Sequence, residues 1–136
     1  GLVFQSEDLS RRGARACRAR AQCAGGTGVV TCRSVYSCTT LALQATRGAV
    51  IAIERLAKDA ALHPIQQAFI EHSGFPCGFC TSGQIMTTKV MLDRMPNPTE
   101  DQARPALAGK LCRCTGYDKI VRAVMETASE MREAAQ

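Results

Sequence analysis

Four of the chain's eight cysteines form two tight pairs, Cys77-Gly78-Phe79-Cys80 and Cys112-Arg113-Cys114, with thirty-one residues between them. Each pair is followed at once by small or polar residues and a glycine, Thr81-Ser82-Gly83 and Thr115-Gly116. A helical pattern then begins. Thiolates grouped two and two at helix starts suit a metal centre of net negative charge. Unpaired backbone N–H groups and the positive end of the helix dipole stabilise anionic sulfur there. Arg113, between two of these cysteines, adds a cation.

Two metal chemistries fit four cysteines. Structural zinc sites use them as two Cys-x-x-Cys knuckles, usually spaced about 15–20 residues apart. Here the second pair is Cys-x-Cys and the gap is longer, which favours an iron–sulfur centre while leaving zinc as the rival. A pair of disulfides would need an oxidising compartment that nothing else in the sequence supports. His63 and His72 are the only histidines and fall on a helix that ends before the first cysteine pair, so a surface or packing role is expected of them. Met86, Met91, Met95, Met125 and Met131 read as core or interface filler. No Ser–His–Asp set, phosphate loop or carboxylate pair is present, so no substrate-transforming site is expected.

The elements that must position the pairs follow from periodicity. Val29-Val30-Thr31 and Ser34-Val35-Tyr36 read as strands around Cys32-Arg33, and Val50-Ile51-Ala52-Ile53 as a further one. Cys38 to Gln44 reads as extended or turn, and residues 56–62 as a linker. From His63 the pattern is helical. Pro64 suits a first turn, with Ile65, Ala68, Phe69 and His72 on one face. A second helix carries Ile85, Met86, Lys89, Val90 and Leu92 and is closed by Met95-Pro96. Thr99-Glu100-Asp101-Gln102 forms a capping box for a third, ended by Gly109. Ile120, Val121, Val124, Met125 and Ala128 mark a fourth, from Tyr117 to about Arg132.

Size and charge narrow the classes. The chain has 136 residues, enough for one ordinary domain or two very small ones. No apolar run reaches the roughly 18 residues of a membrane span, and the start lacks a secretory profile, so a cytoplasmic protein is expected, with periplasmic export alongside a partner left open. The formal charge of +5 is concentrated in residues 1–38, where Arg11, Arg12, Arg15, Arg18, Arg20 and Arg33 face only Glu7 and Asp8. No base-stacking aromatics are interleaved with these arginines, so a solvated arm is expected rather than nucleic-acid binding. The competing class from composition and spacing is a zinc-stabilised interaction module with a basic arm.

The run Cys77-Gly78-Phe79-Cys80-Thr81-Ser82-Gly83, then Asn97-Pro98-Thr99, then Leu111-Cys112-Arg113-Cys114-Thr115-Gly116-Tyr117, resembles the iron–sulfur subunit of the xanthine oxidase family of molybdenum hydroxylases. Leu62-His63-Pro64-Ile65-Gln66-Gln67-Ala68-Phe69 and Ile120-Val121 extend the resemblance, which spans about residues 35–130. It implies an α+β fold: an N-terminal β-grasp, plant-ferredoxin-like domain over residues 1–55, truncated or degenerate here, and a C-terminal four-helix bundle over residues 56–136. Two [2Fe-2S] clusters are implied. Cys77, Cys80, Cys112 and Cys114 would hold the proximal one, with Cys114 nearest a molybdopterin held by a separate large subunit. Electrons from that centre would pass singly to a second cluster near Cys23, Cys38 and Cys17, then to an FAD-binding subunit or a cytochrome.

The chain departs from the family in three places. The N-terminal ligand pattern, Cys-x4-Cys-x2-Cys-x11-Cys, read back from Cys38, finds Cys23 but meets Gly26 and Arg18, with Cys17 displaced by one residue. Cys32 falls at a hairpin turn away from such a site. Either this domain has decayed, or residues 10–34 reflect a reading-frame error in a GC-rich gene. The return to register at Val35-Tyr36-Ser37-Cys38 favours the second. Pro76 stands where the family has a glutamine that contacts the pterin. Pro105 lies inside the third helix and should kink or shorten it, at a cost of up to about 3 kcal/mol.

Overall fold

The computed structural model describes residues 27–30, 32–37, 39–40, 43, 49–57 and 61–134. Cys17, Cys23 and Cys38 lie outside them, as do the N-terminal arginine-rich arm up to residue 26 and most of the expected 38–44 segment.

Among the described residues a small antiparallel sheet comes first, with strand order β2-β1-β3. β1 (Thr27–Val30) and β2 (Arg33–Tyr36) pair from Thr27 with Tyr36 to Val30 with Arg33. The turn is tight enough to hold Cys32 at φ 61°. β3 (Val50–Ile51) lies on the other edge of β1. It ends earlier than the sequence pattern suggests. Ile53 enters a single 3-10 turn, Ile53–Arg55, which drops Leu56 into the core.

Helix α1 (Pro64–Glu71) is fixed at both ends by local chemistry. His63 caps it: its Nδ1 accepts from the Ile65 N–H, and Gln66 Oε1 accepts from the His63 N–H. At the far end the Gly74 N–H reaches the Phe69 carbonyl at 2.9 Å and the Ser73 N–H the Ile70 carbonyl at 3.0 Å. This is a Schellman closure with Ser73 in the left-handed position at φ 51°.

Helix α2 (Thr81–Arg94) is central, with the sheet, α1, α3 and α4 all packed against it. It is therefore buried almost all round. Gln84, Thr87 and Thr88 lie inside along with Ile85, Met86, Val90, Met91 and Leu92. Its C-terminal end is tied to the hairpin tip, where Arg94 Nη2 donates to the Cys32 carbonyl.

Helix α3 (Glu100–Leu107) opens with the capping box expected from Thr99 and Gln102. The helix runs through Pro105. The helix stops two residues later, and the Ala108 N–H closes on the Pro105 carbonyl.

Helix α4 (Asp118–Glu133) buries Ile120, Val121, Ala123, Val124 and Ala128, and packs chiefly on α1. His72, at the end of α1, pairs with Glu126 of α4, while Arg132 reaches Asn97 between α2 and α3. Val29 of the sheet and Leu56 join the helices in one continuous core. Among the described residues no helix is long and apolar enough to cross a membrane.

Phe69 is 1% exposed and sits where α1 meets that core. Phe69→Ala should destabilise the chain by about 3–5 kcal/mol through lost burial and the cavity left behind. Chemical denaturation measures this. A loss below about 1 kcal/mol would mean that α1 is not packed as described.

Candidate metal centre

The two cysteine loops meet at one end of the helices. Cys77 and Cys114 bring their Sγ atoms to 3.5 Å. Cys80 and Cys112 form the second side-chain pair. Each contact joins one cysteine from either loop. All four thiols are free, Cys80 buried, Cys112 half-buried, and Cys77 and Cys114 exposed. Among the described residues no three His, Cys, Asp or Glu side chains surround a single point. The thiols gather as two twos.

The backbone of both loops turns through left-handed positions. Gly78 (φ 74°) and Gly116 (φ 61°) supply two of them without strain. Tyr117 is also left-handed, at φ 69°, which costs a non-glycine residue about 1–2 kcal/mol. Its side chain holds it there. The Tyr117 hydroxyl donates to the Lys110 carbonyl at 3.0 Å and accepts from the Cys112 N–H at 2.9 Å. Its own N–H donates to Thr115 Oγ1. The Lys110 carbonyl also accepts from Gln84 Nε2 at 2.9 Å, a bond made from inside α2 by a fully buried side chain. The second loop is thereby tied to the helix that begins with the first.

The placement of the helices refines the sequence reading. Cys80 is the N-cap residue of α2, so the first pair does open a helix. The second pair does not. Cys114 precedes α4 by a turn through Thr115, Gly116 and Tyr117, and individual N–H groups of the loop serve its thiols instead.

The four thiols split in acidity. Cys77 is held below the ordinary thiol range, first by a hydrogen bond from the Phe79 N–H and then by the Cys114 thiol. Burial opposes ionisation at Cys112. The Thr115 hydroxyl, the Cys114 and Thr115 N–H groups and the Cys80 thiol together outweigh it and bring that pKa down. Cys80 is pushed up to about 12 by desolvation, and then by its hydrogen bond and proximity to Cys112. Cys114 is raised by its hydrogen bond to Cys77 and by that neighbour's charge. In each pair one sulfur ionises more readily than the other.

A donor set of four sulfurs in two pairs suits a binuclear iron–sulfide core, in which each iron takes two protein thiolates. Cys32, at the hairpin tip, is exposed and belongs to a different part of the molecule. His63 and His72 serve as a helix cap and a partner of Glu126. Thr115 and Tyr117 belong to the run after the second pair, but the bonds they make are not legible in it, and Gln84 lies outside every motif. The one signal for Gln84 is a polar residue immediately before the apolar pair Ile85-Met86.

Residues 52–125, which contain all four cysteines, match the [2Fe-2S] binding domain family. The chain is 41% identical over 125 residues to the 6-hydroxypseudooxynicotine dehydrogenase complex subunit beta of Paenarthrobacter nicotinovorans, covering 90% of this chain and 78% of that one. It is 43% identical over 98 residues to the nicotine 6-hydroxylase small subunit of the same organism, covering 72% of this chain and 59% of the relative. Among solved structures, the quinoline 2-oxidoreductase of Pseudomonas putida 86 superposes with a TM-score of 0.77 at 34% identity, covering 84% of this chain and 72% of that one. These matches give no support to a zinc-stabilised interaction module.

The split in acidity has a chemical consequence for the metal-free chain. Thiolates alkylate and thiols do not. At neutral pH iodoacetamide should therefore modify exposed Cys77 well before buried Cys80, with Cys80 labelling only under strongly alkaline or denaturing conditions. Peptide mapping over a pH series reads the order, and equal labelling of Cys77 and Cys80 at pH 7 would contradict it.

Proposed function

The chain belongs to the [2Fe-2S] binding domain family, as an iron–sulfur subunit of the xanthine oxidase family of molybdenum hydroxylases, and from that premise we propose that Cys77, Cys80, Cys112 and Cys114 together hold one [2Fe-2S] cluster. The observation that carries this is the cross-loop pairing, Cys77 with Cys114 and Cys80 with Cys112. Each iron would take one thiolate from either loop.

The chain is thus an electron-transfer subunit of an oxidoreductase rather than a site of substrate chemistry. When bound, such a cluster takes up and returns one electron at a time. The protein's part is to hold and bias that chemistry. The N–H groups of Phe79, Cys114 and Thr115, together with the Thr115 hydroxyl, point at sulfur and favour anionic ligands. Buried Cys80 and half-buried Cys112 keep one side of the site dry. The other side opens at Cys77 and Cys114, and Phe79 (51% exposed) within the first pair and Leu111 (57%) just before the second are exposed apolar residues of the same loops. That open, apolar rim supports docking onto a molybdopterin-binding large subunit with Cys114 foremost, and exposed Arg113 adds a cation there.

The further parts of the reading rest on the resemblance. A division at residues 55/56, a second cluster near Cys23 and Cys38 with Cys17, and an FAD-binding subunit or cytochrome as acceptor belong to the same proposal.

Iron and acid-labile sulfide analysis tests it. About two iron atoms per chain are expected with the proximal cluster alone, and about four with both. The protein should be brown, with an EPR signal on reduction. Cys112→Ser should lose the proximal cluster's iron and its contribution to that signal. A colourless chain with stoichiometric zinc would overturn the assignment.

A further inference from the structure

One contact reaches the cysteine loop from outside the helical layer. The Tyr36 hydroxyl, at the end of β2, donates to the Gly109 carbonyl at 2.6 Å. The next residue, Lys110, lays its ammonium 3.7 Å from the centroid of the same ring. Two successive residues of the loop thus bear on one side chain of the sheet. Gly109 lies at φ 88°, and a Cβ there would come within 3.1 Å of the Tyr36 hydroxyl, so only glycine allows the approach.

Tyr36 is itself held firmly. It pairs with Thr27 in the sheet, and its carbonyl accepts from the Thr39 N–H at 3.1 Å, from Thr39 Oγ1 at 3.2 Å and from Thr40 Oγ1 at 2.7 Å. Lys110 is 5% exposed, and a buried ammonium needs its charge met. The face of the Tyr36 ring does that. On its other side the Lys110 carbonyl is the double acceptor for Gln84 and Tyr117, and Tyr117 in turn holds the Cys112 N–H. An unbroken set of contacts therefore runs from the sheet to the backbone of one cysteine.

We propose that Tyr36, clasped by Gly109 and Lys110, is a positioning residue for the second cysteine loop, fixing Cys112 from the sheet. This rests on reading Cys112 as a cluster ligand. Tyr36 also stands two residues before Cys38, so the clasp joins the segment leading to Cys38 to the loop leading to Cys112. A change in how the sheet sits would be felt at the cluster through this side chain. A clasp acts on geometry, so loosening it should alter the cluster's environment and the loop's protection while leaving the helical core folded.

The test uses the full chain as purified, comparing Tyr36→Phe, Tyr36→Leu, Lys110→Met and, as a control on the opposite face of the same strand, Val35→Ala. Three properties are read: iron loss to a chelator, the EPR line shape and midpoint potential of the reduced protein, and amide exchange at Cys112 in the metal-free chain. Tyr36→Leu and Lys110→Met should each release iron about tenfold faster, and Tyr36→Phe, which keeps the ring, about threefold. Because the two residues act as a unit, the double variant should be no faster than Tyr36→Leu alone. The potential and line shape should move in Tyr36→Leu and not in Val35→Ala, and Cys112 exchange should rise only in the clasp variants.

Wild-type values for Tyr36→Leu in all three readouts would overturn the proposal. So would an equal response from Val35→Ala, which would mean general loosening. A wild-type chain holding no iron would sink the reading of the cysteines. The amide exchange of the metal-free chain would still decide whether Tyr36 holds the loop.

Discussion

Sulfur atoms that are to carry negative charge resist being crowded, and the features around the cysteine loops answer that resistance. Charge repulsion and burial both push protons back onto thiols, as Cys80 and Cys114 show. The opposing influences are short-range and directional. Backbone N–H groups at Phe79, Cys114 and Thr115 and one hydroxyl are turned toward sulfur, lowering Cys77 and Cys112. To aim those groups the backbone must pass through left-handed positions at Gly78, Gly116 and Tyr117. The conformation of the loops is thus a consequence of the charge they must tolerate.

Such loops are stable only if something else holds them. Here it is the Lys110 carbonyl, reached by Gln84 from within α2 and by the Tyr117 hydroxyl from the loop itself. Burying an amide costs free energy unless it is hydrogen-bonded. The bond from Gln84 Nε2 to the Lys110 carbonyl offsets part of that cost and at the same time couples the two halves of the site. Since α2 also touches the sheet and the other three helices, the thiols rest on the helix that ties the described elements together. Rigid support of this kind suits a centre whose ligands should move little when charge changes.

Much of this was legible in the residues, and the limits are instructive. Thr99 and Gln102 gave a cap that formed as expected, and the apolar spacing of Ile120, Val121 and Val124 gave the buried face of α4. Ile53 misled, because an apolar run of four fits a strand or the approach to a buried turn equally well, and the burial of Leu56 decided between them. The second cysteine pair misled in a smaller way. Helical periodicity says where a helix runs but not whether the residues just before it turn away from its axis. Gln84, Tyr117 and Tyr36 carried no local signal of their roles, since each acts on a residue it meets only after folding.

What the sequence determined by itself was the donor set and its grouping: two pairs of thiols, chemically suited to a metal, with glycine where the backbone must turn. Those are matters of residue type and short spacing, which the chain carries before it folds. Tertiary structure decided which thiol meets which across thirty-one intervening residues, which of them ionises more readily, and which distant side chains hold them there. These depend on distance and on exclusion of water, and neither exists until the helices and the sheet have packed around α2.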